Sequence, residues 1–266
     1  MLPRLGARVG RALCQKNIFP AVRGTVVQPR PLALDTAARR NLLVVRPEVV
    51  DEMDKQVSEY PHMDALKMWT EDGEAHLWTY KQLQKHVDAF CNGILDSQFK
   101  PEHKLVLWTK DSCESVVAQM GALKAGIQVE VLDKDATKED LTKALTGARA
   151  FLISPNLLPN EQSMKVMYEL IPELTQMGRY LEQLVMSEAF PTLRWCWSMG
   201  FEKPTGMNQF IHLLVYYPPE VCAAPKMNTR GTVTTTGTGT FVDLKLPHID
   251  TNVTVEREFE EDELSY

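Results

Sequence analysis

No stretch of the 266 residues approaches eighteen consecutive apolar positions, so no helix of this chain is expected to span a bilayer. Cysteine is scarce and scattered. The five, Cys14, Cys91, Cys113, Cys196 and Cys222, form no CxxC and stand apart from any histidine pair. That spacing excludes a disulfide framework and a zinc ribbon, and fits thiols kept reduced or buried. Six histidines, at 62, 76, 86, 103, 212 and 248, make no HxxxH and no serine–histidine–aspartate grouping in the linear sequence. No metal site and no catalytic residue is therefore expected. Internal repeats and low-complexity arrays are absent as well.

Acidic charge is in excess, with a net charge of −6, and its distribution is uneven. Residues 1–40 carry Arg4, Arg8, Arg11, Lys16, Arg23, Arg30, Arg39 and Arg40 against Asp35 alone, which leaves 21 bases and 34 acids, or −13, for the rest. An acidic body repels a phosphate backbone, so nucleic acid is not an expected partner. In MLPRLGARVGRALCQKNIF, Leu2, Leu5, Val9 and Leu13 fall near helical spacing, with Arg4, Arg8 and Arg11 on another face. Arg-rich, acid-poor and amphipathic is the composition of a mitochondrial targeting segment, and residues 1–30 are read as that or as a basic arm. A secretory signal is a poor fit, because arginines interrupt any apolar core. At the other end, EREFEEDELSY reads as an acidic, solvated tail over 249–266.

Between these ends lie a Pro-containing connector over 31–60 and a domain expected over 61–248. ALKMWTEDGEAHLWTYKQL reads as a hairpin about Asp72-Gly73, then a helix capped by Thr79 with Leu83, Val87, Phe90, Ile94 and Leu95 on one side. KLVLWT (104–109), IQVEVL (127–132) and AFLIS (150–154) are short buried-strand patterns about 22 residues apart. The helical segments DSCESVVAQMGALKAG and KEDLTKALTG separate them. This rhythm predicts βαβ units and an α/β fold, a three-layer domain with a mostly parallel sheet flanked by helices. A helical stretch near 160–188 and strands at LRWCWSMG (193–200) and IHLLVYY (211–217) complete the series. Trp195 and Trp197 alternate about Cys196 and should share one sheet face. Asp111 and Cys113 follow the first of the strands, at the carboxyl edge where open α/β sheets place ligands. The expectation for Cys113 is a buried small residue rather than a reactive thiol.

The order of these blocks resembles the N-terminal portion of adenylate-forming enzymes, the acyl-CoA synthetase and AMP-ligase superfamily. WTYKQLQKHVDAFCNGI is similar to that family's opening Thr-Tyr-x-x-Leu helix. KLVLWTKDSCESVVAQMGALKAGIQVEVLD resembles its strand, helix and Leu-Lys-Ala-Gly block. ALTGARAFLISP and FPTLRWCWSMGFE resemble later segments, so the likeness covers about 64–220. It implies the fold of the N-terminal subdomain of such enzymes.

The resemblance also places the family's phosphate loop on TRGTVTTTGTGTFVDLKLPH (229–248), with Thr236, Gly237, Thr238, Gly239 and Lys245 as the cofactor-binding candidates. Small residues let backbone amides wrap a polyphosphate while a lysine pairs with it. Here the family's Gly-Thr-Thr-Gly core is broken, Lys245 lies eight residues after Gly237, and Asp243 adds negative charge between them. The family's later nucleotide-binding blocks have no counterpart before Tyr266. From these departures a non-catalytic protein is expected: a pseudoenzyme without cofactors, built on a truncated acyl-CoA-synthetase-like domain. Its expected place is the matrix side of the mitochondrial inner membrane, as an accessory subunit of a respiratory complex or ATP synthase. The alternative is a regulatory module that retains acyl-CoA or nucleotide in a residual cleft.

Overall fold

The computed structural model describes residues 32–33, 43–69, 75–178, 183–200, 203–218 and 230–236. All of these lie in one compact unit, Pro29–Asp250. The basic segment 1–30 and the acidic tail 249–266 lie outside the described residues.

Two sheets form. A small one pairs β1 (Leu32–Ala33), β2 (Asp64–Trp69) and β3 (Ala75–Thr79), with β2 and β3 antiparallel as expected of the hairpin. The larger sheet has six strands: β4 (Lys104–Trp108), β5 (Gln128–Leu132), β6 (Ala148–Ile153), β7 (Trp195–Ser198), β8 (Asn208–Gln209) and β9 (Val233–Thr236). Their order is β8-β7-β6-β4-β5-β9, and every pairing is parallel.

Helices cover both faces. On one, α1 (Pro47–Glu59), α2 (Tyr80–Asp96) and α3 (Cys113–Lys124) pack over Leu105, Leu107, Val129, Val131 and Leu152. On the other, α4 (Lys138–Leu145) and α5 (Gln162–Leu170) pack over Val106, Trp108, Phe151 and Ile153. A strand buried on both faces needs an unbroken apolar run, which is what KLVLW and AFLI supply. The protein is thus a mixed α/β domain whose largely parallel central sheet is flanked by helices.

Local chemistry explains where the helices begin and end. Thr79 and Gln82 form a reciprocal capping box at the start of α2, and Thr137 and Asp140 form another on α4. Ser112 caps α3 by accepting from the Ser115 amide. Gly126 and Gly147 follow α3 and α4 with φ of 78° and 77°, a conformation side chains resist.

Three segments differ from the sequence reading. Residues 43–59, within the expected connector 31–60, contribute Leu43, Val44, Val45, Val49, Val50 and Met53 to the core. IHLLVYY is not a strand: Phe210–Leu213 makes a 3-10 turn, and the chain then lies extended along α2, where Val215 donates to the Ala89 carbonyl at 3.0 Å. Phe210 and Leu213 are buried while Ile211 is 63% exposed, a period of three that an alternating strand cannot satisfy. In 160–188 the helix stops at Leu170 because Pro172 cannot continue its hydrogen bonds; a 3-10 turn follows. Trp195 and Trp197 share a face and stack, with ring centroids 5.6 Å apart.

Candidate functional site

Because every strand of the larger sheet runs the same way, the residues after β4, β5, β6 and β7 gather at one edge, where β9 ends at Thr236. The chain passes from β4 to β5 on one side and then returns beyond β4 to place β6 on the other. Loops leaving β4 and β6 therefore diverge to opposite faces, and their carboxyl ends are the general ligand position in such sheets.

The β4 loop, 109–112, is fixed by a buried polar network. Thr109 Oγ1 lies 2.9 Å from Ser115 Oγ, Ser115 Oγ accepts from Gln119 Nε2 at 3.4 Å, and the Lys110 amide donates to Ser154 Oγ at 3.1 Å. Gln119, wholly buried, uses both ends of its amide on the extended segment 43–45: Nε2 donates to the Leu43 carbonyl at 3.0 Å, and Oε1 accepts from the Val45 amide at 2.8 Å. Asp111 Oδ1 accepts from the Leu43 amide at 3.2 Å. Asp111 is exposed at the surface of this network, yet the chain packed around it desolvates its carboxyl enough to hold it above the ordinary carboxylate range; the Leu43 amide opposes this and Asp133 adds repulsion. A network with its members satisfied keeps a loop rigid, which suits a site that must present groups without rearranging.

Cys113, at the first turn of α3, is buried, and burial pushes its thiol up to about 12, with Glu114 adding to the effect. It is packing material, as expected, and not a nucleophile at neutral pH. Among the described residues no three histidine, cysteine or acidic side chains converge to hold a metal ion.

The Thr/Gly stretch enters this edge through β9. Val233 to Thr236 pair in parallel with Val129 to Leu132, so Thr236 stands opposite Leu132, the last residue of β5. Gly237, Thr238, Gly239 and Lys245 lie outside the described residues. The described part of the stretch is thus a strand, Val233–Thr236. The sequence pattern located the stretch; it held no sign that β9 would sit beside β5, nor that Gln119, Ser115 and Ser154 would support the neighbouring loop. Ser115 and Gln119 in a helix buried on nearly every side, and a serine after a strand, carry no spacing signal of that kind.

The model of the AMP-binding enzyme family matches residues 53–185, half of the chain. Among curated proteins, the nonribosomal peptide synthetase TES of Alternaria alternata is 28% identical over 150 residues, 55% of this chain and 3% of that protein. Nonribosomal peptide synthetase asqK of Emericella nidulans is 32% identical over 115 residues, 42% of this chain and 4% of that protein. Among solved structures, an acyl-CoA synthetase of Brucella canis is similar with a TM-score of 0.49 and 14% identity, over 73% of this chain and 32% of that one. The anthranilate CoA ligase AuaEII, in complex with anthranoyl-AMP, gives a TM-score of 0.47 and 15% identity, over 67% and 29%. The chain spans a small part of each of these proteins.

A match to an enzyme family over half the chain corrects the expectation of a non-enzymatic protein. The pseudoenzyme reading, and with it an accessory subunit of a mitochondrial inner-membrane complex or ATP synthase, is withdrawn. The altered Thr/Gly loop lies largely outside the described residues, and the family match, over 53–185, precedes it in the chain. Among the described residues no helix is long and apolar enough to cross a membrane.

Proposed function

Since the chain belongs to the AMP-binding enzyme family, we propose that it forms the N-terminal α/β part of an enzyme that activates a carboxylic acid as its adenylate, and that the carboxyl edge of its large sheet faces the nucleotide. The observation that carries this reading is the alignment of β9 with β5, which puts Thr236 at the same carboxyl edge as the β4 and β6 loops, on the strand beyond β5. In this reading Thr236, Gly237, Thr238 and Gly239 turn backbone amides and hydroxyls toward the phosphates, and Lys245 supplies the cation. Glycines matter because a Cβ would hold the phosphate away from the amides, and converging amides are the main source of affinity in such loops. Threonine hydroxyls can donate where the family's usual pattern has serine. The four residues Phe241–Leu244 lengthen the reach to Lys245 and set Asp243 near it, so phosphate affinity below that of the usual spacing is expected.

Titration calorimetry of the purified chain with AMP and with ATP tests the proposal. Binding should weaken about tenfold in Lys245→Ala, the loss of one charge-assisted contact, and should vanish in Gly237→Val. Absence of binding by the parent chain at millimolar nucleotide would end this reading.

A further inference from the structure

Strand β9 has a sequence that specifies its own position poorly. Its residues Val233-Thr234-Thr235-Thr236, with Thr232 just before them, carry one large apolar side chain among threonines. Val233 packs against the core while Thr234 is exposed, so a slip of one residue along β5 would turn Val233 out to solvent and is resisted. A slip of two residues keeps the faces unchanged. It replaces Val233 by Thr235 or by Gly231, and it draws Gly237 into the sheet or releases the chain two residues early. Something other than the strand's own pattern must select one of these registers.

The residues just before the strand do so. Arg230 donates through Nε to Asp51 Oδ1 of α1 at 2.9 Å and pairs with the same oxygen through Nη2; Asp54 Oδ2 lies 3.9 Å from Nη2. Asp54 is itself held by Lys124 at 3.1 Å and by Gln84 at 3.1 Å, so the anchor is tied to α2 and α3. Next along the chain, the Gly231 amide donates to the Leu123 carbonyl at 3.0 Å, and a Cβ on Gly231 would stand 2.0 Å from the Ile127 carbonyl oxygen. The Thr232 carbonyl then accepts from Val129 at 2.8 Å, and the ladder begins. A side chain at 231 cannot be accommodated, and an arginine displaced by two residues, a shift of about 7 Å along a strand, loses both carboxylates.

We infer that Arg230 is a positioning residue: its pairing with Asp51 on α1 fixes the register of β9, and thereby which of its threonines stands opposite Leu132 at the carboxyl edge. Arg230 and Asp51 lie outside the family-matched residues 53–185, while Asp54, Gln84 and Lys124, which support the pair, lie within them. The functional consequence rests on the phosphate-loop reading above; the register does not.

Disulfide trapping separates the two. In a Cys14→Ser, Cys222→Ser background, Glu130→Cys is combined in turn with Thr232→Cys, Thr234→Cys and Thr236→Cys, and bridged peptides are counted after mild oxidation. Glu130 and Thr234 are register partners, so that pair should dominate in the parent chain. Arg230→Ala should raise the 232 and 236 bridges about fivefold, the effect of one well-oriented, part-exposed ion pair. Asp51→Ala, which alters an exposed partner on a different element, should do the same, and Arg230→Asp with Asp51→Arg should restore the parent pattern. AMP affinity should fall with the slipped fraction and recover in the exchange variant. An unchanged bridge pattern in Arg230→Ala and Asp51→Ala overturns the inference. A parent chain that bridges at 234 but binds no AMP overturns the phosphate-loop reading alone.

Discussion

Lys124 sits with its ammonium 2.7 Å from Asp88 and 3.1 Å from Asp54, and its side chain is 9% exposed. Burial alone would lower its pKa; Asp88 and then Asp54 more than offset that and hold it above the ordinary lysine value. The charged form is therefore favoured by folding. Its contribution is present throughout the neutral range and is lost only as the pH climbs through the raised value. Removing the charge leaves two carboxylates facing each other, so Lys124→Met should cost about 3 kcal/mol in urea unfolding at pH 7. A loss well under that, about 1 kcal/mol or less, would mean that the pair behaves as a surface one. Cysteines give a second check at this scale. Burial pushes the thiols of Cys113 and Cys196 up to about 12. Peptide mapping after iodoacetamide at pH 8 should find both unmodified in the native protein and modified in denaturant.

Helix pairs in this fold approach closely where glycine permits it. Gly93 on α2 faces the Leu213 carbonyl, and a Cβ there would lie 1.8 Å from its oxygen; at Gly121 on α3 a Cβ would meet Phe90 Cδ1 at 2.7 Å. The first is a contact with backbone, which has no rotamer to yield. Gly93→Ala should therefore force residues 213–217 off α2 and cost about 2–3 kcal/mol. Hydrogen exchange provides the specific sign: the Val215 amide, which donates to Ala89, should lose protection in the variant while α4 keeps its own. Equal loss in both would show general unfolding and not local release. Caps and helix faces were legible beforehand, since Thr79-x-x-Gln82 and the apolar spacing of α2 are local patterns. The approach of 213–217 was not, because it depends on a glycine whose neighbour is 120 residues away in sequence.

At the scale of the molecule, the proposed nucleotide site would draw on segments from the whole chain: the loops after β4 and β6, and the strand β9, whose position is tied to α1. Binding should then stabilise the domain as a unit. At a concentration of AMP one hundred times its dissociation constant, the linkage amounts to about 2.7 kcal/mol. For a domain of this size that corresponds to a rise in melting temperature of about 5–10 °C. Adenosine, which lacks the phosphate, should give a much smaller rise if the Thr/Gly stretch provides the affinity. Equal shifts from both would place the phosphate elsewhere.

Periodicity and capping are short-range properties, and from them the sequence determined the hairpin, the βαβ rhythm, the helix starts, the shared face of Trp195 and Trp197 and the burial of Cys113. Apolar strand runs also committed the sheet to burial on both faces. Strand order is a different matter. The choice of β9 beside β5, the inclusion of residues 43–59 in the core, and the hydrogen bonds by which Ser154 and Gln119 hold the β4 loop and the segment 43–45 depend on which surfaces meet after the chain has folded. A threonine-rich strand fits many neighbours equally well. Its place and register are set by partners such as Asp51, 179 residues from Arg230, and by a carbonyl that leaves no room for a side chain at Gly231. Only the tertiary structure brings those groups together.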